Sequence, residues 1–223
     1  MLSLHKSQLF TDISEEDIQK LCTCLSSYQK KIKKDSFVFR AGDPVHDVYL
    51  ILSGSMHIVD DYFWGNRSII ETMKEYTFFG EAYVFAQKEH HLVSVVAAED
   101  SVILEMNPSR IFENCSNRCA CHSKLIQNIV NILSQKIVLL TKKLGHIVQR
   151  TTSEKVLSYL SQCLRQQNSN PFTIPYSRQQ LADYLCVDRS ALSHELSKLR
   201  DEGMIKFHKN QFELLLSEDD LLL

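Results

Sequence analysis

Residues 1–6, Met1-Leu2-Ser3-Leu4-His5-Lys6, lack the apolar core of a secretory signal, and no run of about 18 apolar residues occurs anywhere in the chain. Export and membrane spanning are not expected, so the chain reads as a cytosolic protein with no membrane partner. In that compartment its seven cysteines are expected as free thiols or ligands. A phosphate-cradling glycine loop, an HExxH pair and a Gly-x-Ser-x-Gly elbow are also missing. So is the spaced His/Glu ligand set of a cupin-type metal enzyme, and the chain is not read as an enzyme. Nor is there an excess of positive charge. The net charge of −2 argues against a protein that coats nucleic acid non-specifically. The 223 residues suit one large domain or two small ones, and the 44% hydrophobic and 23% charged content is ordinary for a globular chain.

Locally the charge balance differs. Residues 176–210 carry six Lys/Arg against five Asp/Glu, with His194 and His208 in addition. Ser177 can N-cap a short helix through Leu185, and Asp188 can cap a second one to about Leu199. Leu181, Ala182 and Leu185 on the first, and Leu192, Leu196 and Leu199 on the second, recur at three- and four-residue spacing, so each helix has one apolar face. Only Cys186 and Val187 separate Leu185 from Asp188, so the helices must cross steeply. The second keeps a polar face of Arg189, Ser190, Ser193, His194 and Ser197. That is the layout of a helix-turn-helix, whose second helix enters the major groove of DNA. Gly203 then ends the helix, and Met204–Phe207 can pair with Gln211–Leu214 across His208-Lys209-Asn210, giving a wing.

Upstream, Ser14 starts a helix over Glu15–Cys24 with Ile18, Leu21, Cys22 and Leu25 on one side. From Tyr28 the apolar period changes to two. Short strands fit Ser36–Arg40, Asp47–Leu52, Met56–Val59, Ser68–Ile70, Thr77–Phe79, His91–Ala97 and Ser101–Met106, with Trp64-Gly65-Asn66-Arg67 as a hairpin tip. Many short strands punctuated by Gly indicate a β-barrel or jelly roll, a fold able to hold a small ligand. After Pro108 the pattern turns helical. Val130, Ile137 and Leu144 at a, with Ile126, Leu133, Leu140 and Ile147 at d, form an unbroken heptad seam that favours a parallel two-stranded coiled coil and predicts a homodimer. Leu125, Ile129, Ile132 and Leu139 can serve a second stripe against the barrel. Thr151-Thr152-Ser153-Glu154 is a capping box that restarts a helix and places a hinge near residues 149–152. The expected class is α+β, with a sensor barrel over residues 1–122, a dimerisation helix and hinge over 123–150, and a winged helix-turn-helix over 151–223.

Barrel, long helix, hinge and winged helix in this order resemble the Crp/Fnr family of bacterial transcription regulators. Gly42, Gly54 and Phe79-Gly80-Glu81 carry the likeness in the barrel, and Ser177–Leu185 with Asp188–Leu196 carry it in the helix-turn-helix. The resemblance implies a barrel that senses a small effector, a homodimer on an inverted-repeat duplex operator, and control of transcription together with RNA polymerase. It places Ser177, Arg178 and Gln179 at the DNA, with Arg178 and His208 as phosphate contacts. Many members read their half-site with a Glu and an Arg four residues later; the aligned positions here are Ser190 and His194, flanked by Arg189 and Ser193. Arg189 is the residue among them able to make a bidentate contact with guanine.

The implied effector pocket comprises Gly80, Glu81, Ala82, His91 and Leu92, joined by Leu140 and Thr141 of the long helix. Cyclic-nucleotide-binding members carry Arg-Ser where this chain has His91-Leu92. A neutral His and a Leu cannot replace a guanidinium and a hydroxyl, so cyclic AMP is not the expected effector. His90 and His91 either attract another anion or are exposed loop residues. Cys115, Cys119, Cys121 and His122 are the one soft-ligand cluster, read as buried thiols or as a metal or redox site. A redox- or metal-responsive regulator and a cyclic-nucleotide-binding regulatory protein are the alternatives to an effector-sensing one.

Overall fold

The computed structural model describes residues 4–61, 67–112 and 120–215, and it divides the chain into two compact units, 1–133 and 134–223. The tip at Trp64 to Asn66, Cys115, Cys119 and the acidic tail at Glu218 to Asp220 lie outside the described residues.

In the first unit, two 3-10 turns, Leu4–Lys6 and Gln8–Phe10, lead to helix α1 (Glu15–Cys24), whose N-cap Ser14 accepts a hydrogen bond from the Asp17 amide. Eight antiparallel strands follow: β1 (Tyr28–Ile32), β2 (Phe37–Phe39), β3 (Val48–Ser53), β4 (Met56–Asp61), β5 (Arg67–Met73), β6 (Phe78–Phe79), β7 (Ser94–Ala97) and β8 (Ser101–Met106). They form two four-stranded sheets, β1-β8-β3-β6 and β2-β7-β4-β5. Strand β3 shows how the sequence specifies this. Its run Val48-Tyr49-Leu50-Ile51-Leu52 is apolar at every position because both faces are covered. Tyr49 and Ile51 join Phe39, Met56, Phe79, Val95 and Ile103 between the sheets, whereas Val48, Leu50 and Leu52 face a second cluster with Leu9, Phe10, Leu21 and Leu25.

Between β6 and β7 lies the short helix α2 (Glu81–Phe85), and α3 (Ser109–Phe112) follows β8. Helix α4 (Ala120–Ile147) spans 28 residues. Its Leu125, Ile129 and Ile132 are buried in the second cluster of the first unit, as expected for the barrel-side stripe. Leu139, expected in the same stripe, is exposed, because it lies on the part of the helix beyond that unit.

The second unit holds the rest of α4, helix α5 (Thr152–Gln167), strand β9 (Phe172–Thr173), helices α6 (Arg178–Leu185) and α7 (Arg189–Asp201), and strands β10 (Ile205–His208) and β11 (Gln211–Leu214). Its core joins Val156 and Leu160 of α5 to Leu181 and Leu185 of α6, Leu192 and Leu196 of α7, and Phe212 of β11. The capping box at Thr151 forms in full: its hydroxyl accepts from the Glu154 amide and the Glu154 carboxylate accepts from the Thr151 amide. The wing turns on two residues, Lys209 and Asn210; His208, expected in the turn, pairs with Gln211. Strand β9, too short to be read from periodicity, adds a third strand beside β11. Among the described residues, no helix is long and apolar enough to cross a membrane.

Candidate functional site

Helix α6 begins at a second complete capping box, in which the Ser177 hydroxyl accepts from the Gln180 amide and Gln180 returns a contact to the Ser177 amide. It ends on Cys186, whose φ of 53° is left-handed and carries a modest strain that a glycine would not. The chain thereby turns at once into α7. Asp188 occupies the N-cap position with extended backbone, but its side chain makes no capping bond. The first-turn amides of α7 therefore have no carboxylate from Asp188 over them, and such a helix N-terminus favours an anionic phosphate.

The two faces of α7 are sharply divided. Leu192, Leu196 and Leu199 are at most 1% exposed, whereas Arg189, Ser190, Ser193 and His194 are all exposed. Locking one face in the core leaves the other to meet a groove, which is the chemistry of a recognition helix: one fork-shaped cation, two hydroxyls and an imidazole. Gln179 is exposed and donates to the Asp183 carboxylate, 2.8 Å away. His208 and Lys209 are exposed at the wing tip. Arg178 is different, and nothing in the local sequence signals it. Its guanidinium carbon lies 5.2 Å from the Phe207 ring centre and 5.6 Å from that of Phe212, and Nη2 donates to the Lys209 carbonyl at 3.3 Å.

At the expected hinge the helix is interrupted, since α4 stops at Ile147 and α5 starts at Thr152. His146, immediately before the break, is nonetheless only 4% exposed. Its Nδ1 lies 2.8 Å from the Ser158 hydroxyl and its Nε2 makes a short contact with Gln162 Oε1. Since Oε1 can only accept, Nε2 carries the proton and Nδ1 accepts from Ser158, which is the neutral tautomer. Burial lowers its pKa in the same sense, against the opposing hydrogen bond that it donates to Gln162. The imidazole also meets the rings of Tyr159 and Tyr184, and the Lys143 ammonium lies 5.6 Å from the Tyr184 ring centre. The last turns of α4 are thus fastened to α5 and α6.

In the barrel, Gly80 takes a left-handed φ of 86° as the N-cap of α2, Glu81 is buried and Ala82 exposed. The two readings of the histidine pair separate. His90 is an exposed loop residue, but His91 is 2% exposed and stacks on Phe39 with ring centres 3.7 Å apart. Tyr83 meets its edge at 5.1 Å, and Nδ1 has no hydrogen-bond partner. Burial lowers its pKa, against the attraction of Asp43, so the neutral ring is favoured. Leu92 points outward, 72% exposed. Leu140 and Thr141 are exposed on α4. Among the described residues no group of three or more His, Cys, Asp or Glu can hold a metal; Cys121 and His122 are buried.

The fold and these faces are those of a DNA-binding regulator in which a β-sheet domain precedes a winged helix-turn-helix domain. Two family models match in series, a cyclic nucleotide-binding domain over residues 29–118 and a Crp-like helix-turn-helix domain over 154–220. The chain belongs to the Crp/Fnr family of transcription regulators. It is 21% identical over 223 residues to the anaerobic regulatory protein of Bacillus subtilis strain 168, covering 95% of this chain and 89% of that one. Its fold is similar to that of the cyclic-di-GMP-responsive regulator CLP of Xanthomonas campestris, with a TM-score of 0.59 and 18% identity over 92% of this chain and all of that one. It is likewise similar to CprK in complex with OCPA, with a TM-score of 0.65 and 14% identity over 92% and 93% of the two chains. DNA binding and a dimeric assembly follow from the family.

Proposed function

We propose that this regulator acts in the cytoplasm, without enzymatic activity, as a parallel homodimer that places two copies of α7 in successive major grooves of an inverted-repeat operator and acts on RNA polymerase there. The observation that carries this reading is the exposed set Arg189, Ser190, Ser193 and His194 opposite a fully buried leucine face. Half-site centres about 34 Å apart suit a two-fold pair of such helices. Arg189 supplies the bidentate base contact, while Ser177, Gln179 and His208 border the phosphates. Dimerisation uses the α4 seam, where Val130, Ile137, Leu140 and Leu144 are 54–66% exposed in the protomer. Ile126 and Leu133 contribute to both the seam and the first unit's core.

The effector acts through the barrel residues Gly80, Glu81, Ala82, His91 and Leu92 with Leu140 and Thr141, and it is not cyclic AMP. A buried, neutral His91 and an outward Leu92 support that exclusion, because neither offers a charge-assisted contact to a cyclic phosphate. Selection from a random duplex library tests the DNA reading. Replacing Arg189 with Ala is expected to cost about 1 to 3 kcal/mol and to relax preference at one base pair per half-site. An unchanged preference in that variant, or recovery of the half-site read by Glu and Arg in other members, refutes it.

A further inference from the structure

The resemblance casts Arg178 as a phosphate ligand, but its surroundings suit another task. A guanidinium that reaches phosphate must be presented to solvent. Arg178 is only half-exposed, lies against two wing rings, and spends a donor on the main chain of the wing tip. Desolvation by these neighbours lowers its pKa. Phe207 and Phe212 are cross-strand partners with ring centres 5.6 Å apart, so Arg178 contacts the wing at an aromatic pair. The Arg200 guanidinium of α7 comes within 5.9 Å of the same Phe207 ring, so both helices of the helix-turn-helix grip it.

The tip is held from its other side as well. The Ile174 amide donates to the Asn210 carbonyl at 2.9 Å, and the Asn210 side chain donates to the Ile174 carbonyl at 3.3 Å. Between these anchors Lys209 takes a left-handed φ of 54° with its carbonyl on Arg178. That fixes where the exposed side chains of His208 and Lys209 project.

We propose that Arg178 is a positioning residue, which clamps the wing through Phe207, Phe212 and the Lys209 carbonyl so that Lys209 and His208 meet the DNA phosphates. This rests on the DNA-binding reading above. A lysine at 178 keeps the charge that a phosphate contact needs but loses the planar fork and its stacking, so Arg178→Lys separates the two roles. In the full-length protein without DNA, exchange of the Ile174 amide, which donates to the Asn210 carbonyl, is expected to accelerate at least tenfold in Arg178→Lys. On the selected operator, Arg178→Lys is expected to weaken Kd at least tenfold in the native background and less than twofold in a Lys209→Ala background. Unchanged exchange overturns the clamp. Faster exchange with equal affinity losses in both backgrounds upholds the wing's order but overturns its role in phosphate binding. Native affinity and exchange in Arg178→Lys, with loss only in Arg178→Gln, return Arg178 to a charge contact.

Discussion

Leu140 is the place to test the dimer seam, because its side chain is 66% exposed and touches neither core. Burying a whole leucine side chain is worth about 1.5 to 3 kcal/mol, so the two thirds still exposed hold about 1 to 2 kcal/mol per protomer. Two protomers meet at the seam, and removing both leucines forfeits about 2 to 4 kcal/mol, or roughly 30- to 900-fold in the dimer Kd. A lysine there adds the cost of bringing two like charges together and out of water, so these figures are a floor. Sedimentation velocity over a concentration series measures the shift, and thermal melting of the monomer should be little changed, since this residue lies outside both cores. Leu125→Lys, 1% exposed in the first unit's core, should instead unfold that unit. A Leu140→Lys protein that stays dimeric at micromolar concentration, or one that loses its fold while Leu125→Lys does not, refutes the assignment.

Three further outcomes are expected. Cyclic AMP and cyclic GMP should bind more weakly than about millimolar by calorimetry, roughly −4 kcal/mol; micromolar binding contradicts the reading of His91 and Leu92. His91 has a lowered pKa in the folded barrel, so its contribution is complete above the unfolded value of 6.5 and is lost as the pH falls through the folded value. Melting of the first unit should therefore drop below pH 6.5, by up to about 1.4 kcal/mol per pH unit for one proton, and His91→Phe should flatten that slope. Gly54→Ala must fit a Cβ 2.2 Å from the Ser101 hydroxyl at a φ of +83°, whereas Gly42 at +89° has open space. The first should cost about 2 to 5 kcal/mol and the second about 1 to 2 by chemical denaturation; equal costs mean that Ser101 moves aside freely.

Much of this was legible in the sequence where one physical signal acted locally. The capping box at Thr151, the N-cap at Ser177, the strand over Ser101–Met106 and the division of α7 into two faces follow from spacing alone. The short α2 and β9 were not legible, because five and two residues complete no period. From the sequence His91 could attract an anion or sit exposed in a loop; it is buried because Phe39, far away in the chain, supplies a ring to stack on. Arg178 is hidden for the same reason, since its partners lie about thirty residues downstream on the wing. Asp188 shows the reverse: its residue type promises a side-chain cap, and the backbone takes the capping conformation without the bond.

The fastening of His146 changes where the chain can be cut. A fragment starting at Thr151 matches the sequence boundary, yet it strips Ser158 and Gln162 of the imidazole they hold and uncovers the rings of Tyr159 and Tyr184. One starting at Ser134 keeps Lys143 and His146 on those rings. For limited proteolysis or for preparing the DNA-reading half on its own, the natural end of the piece is inside the long helix, about four turns before the break.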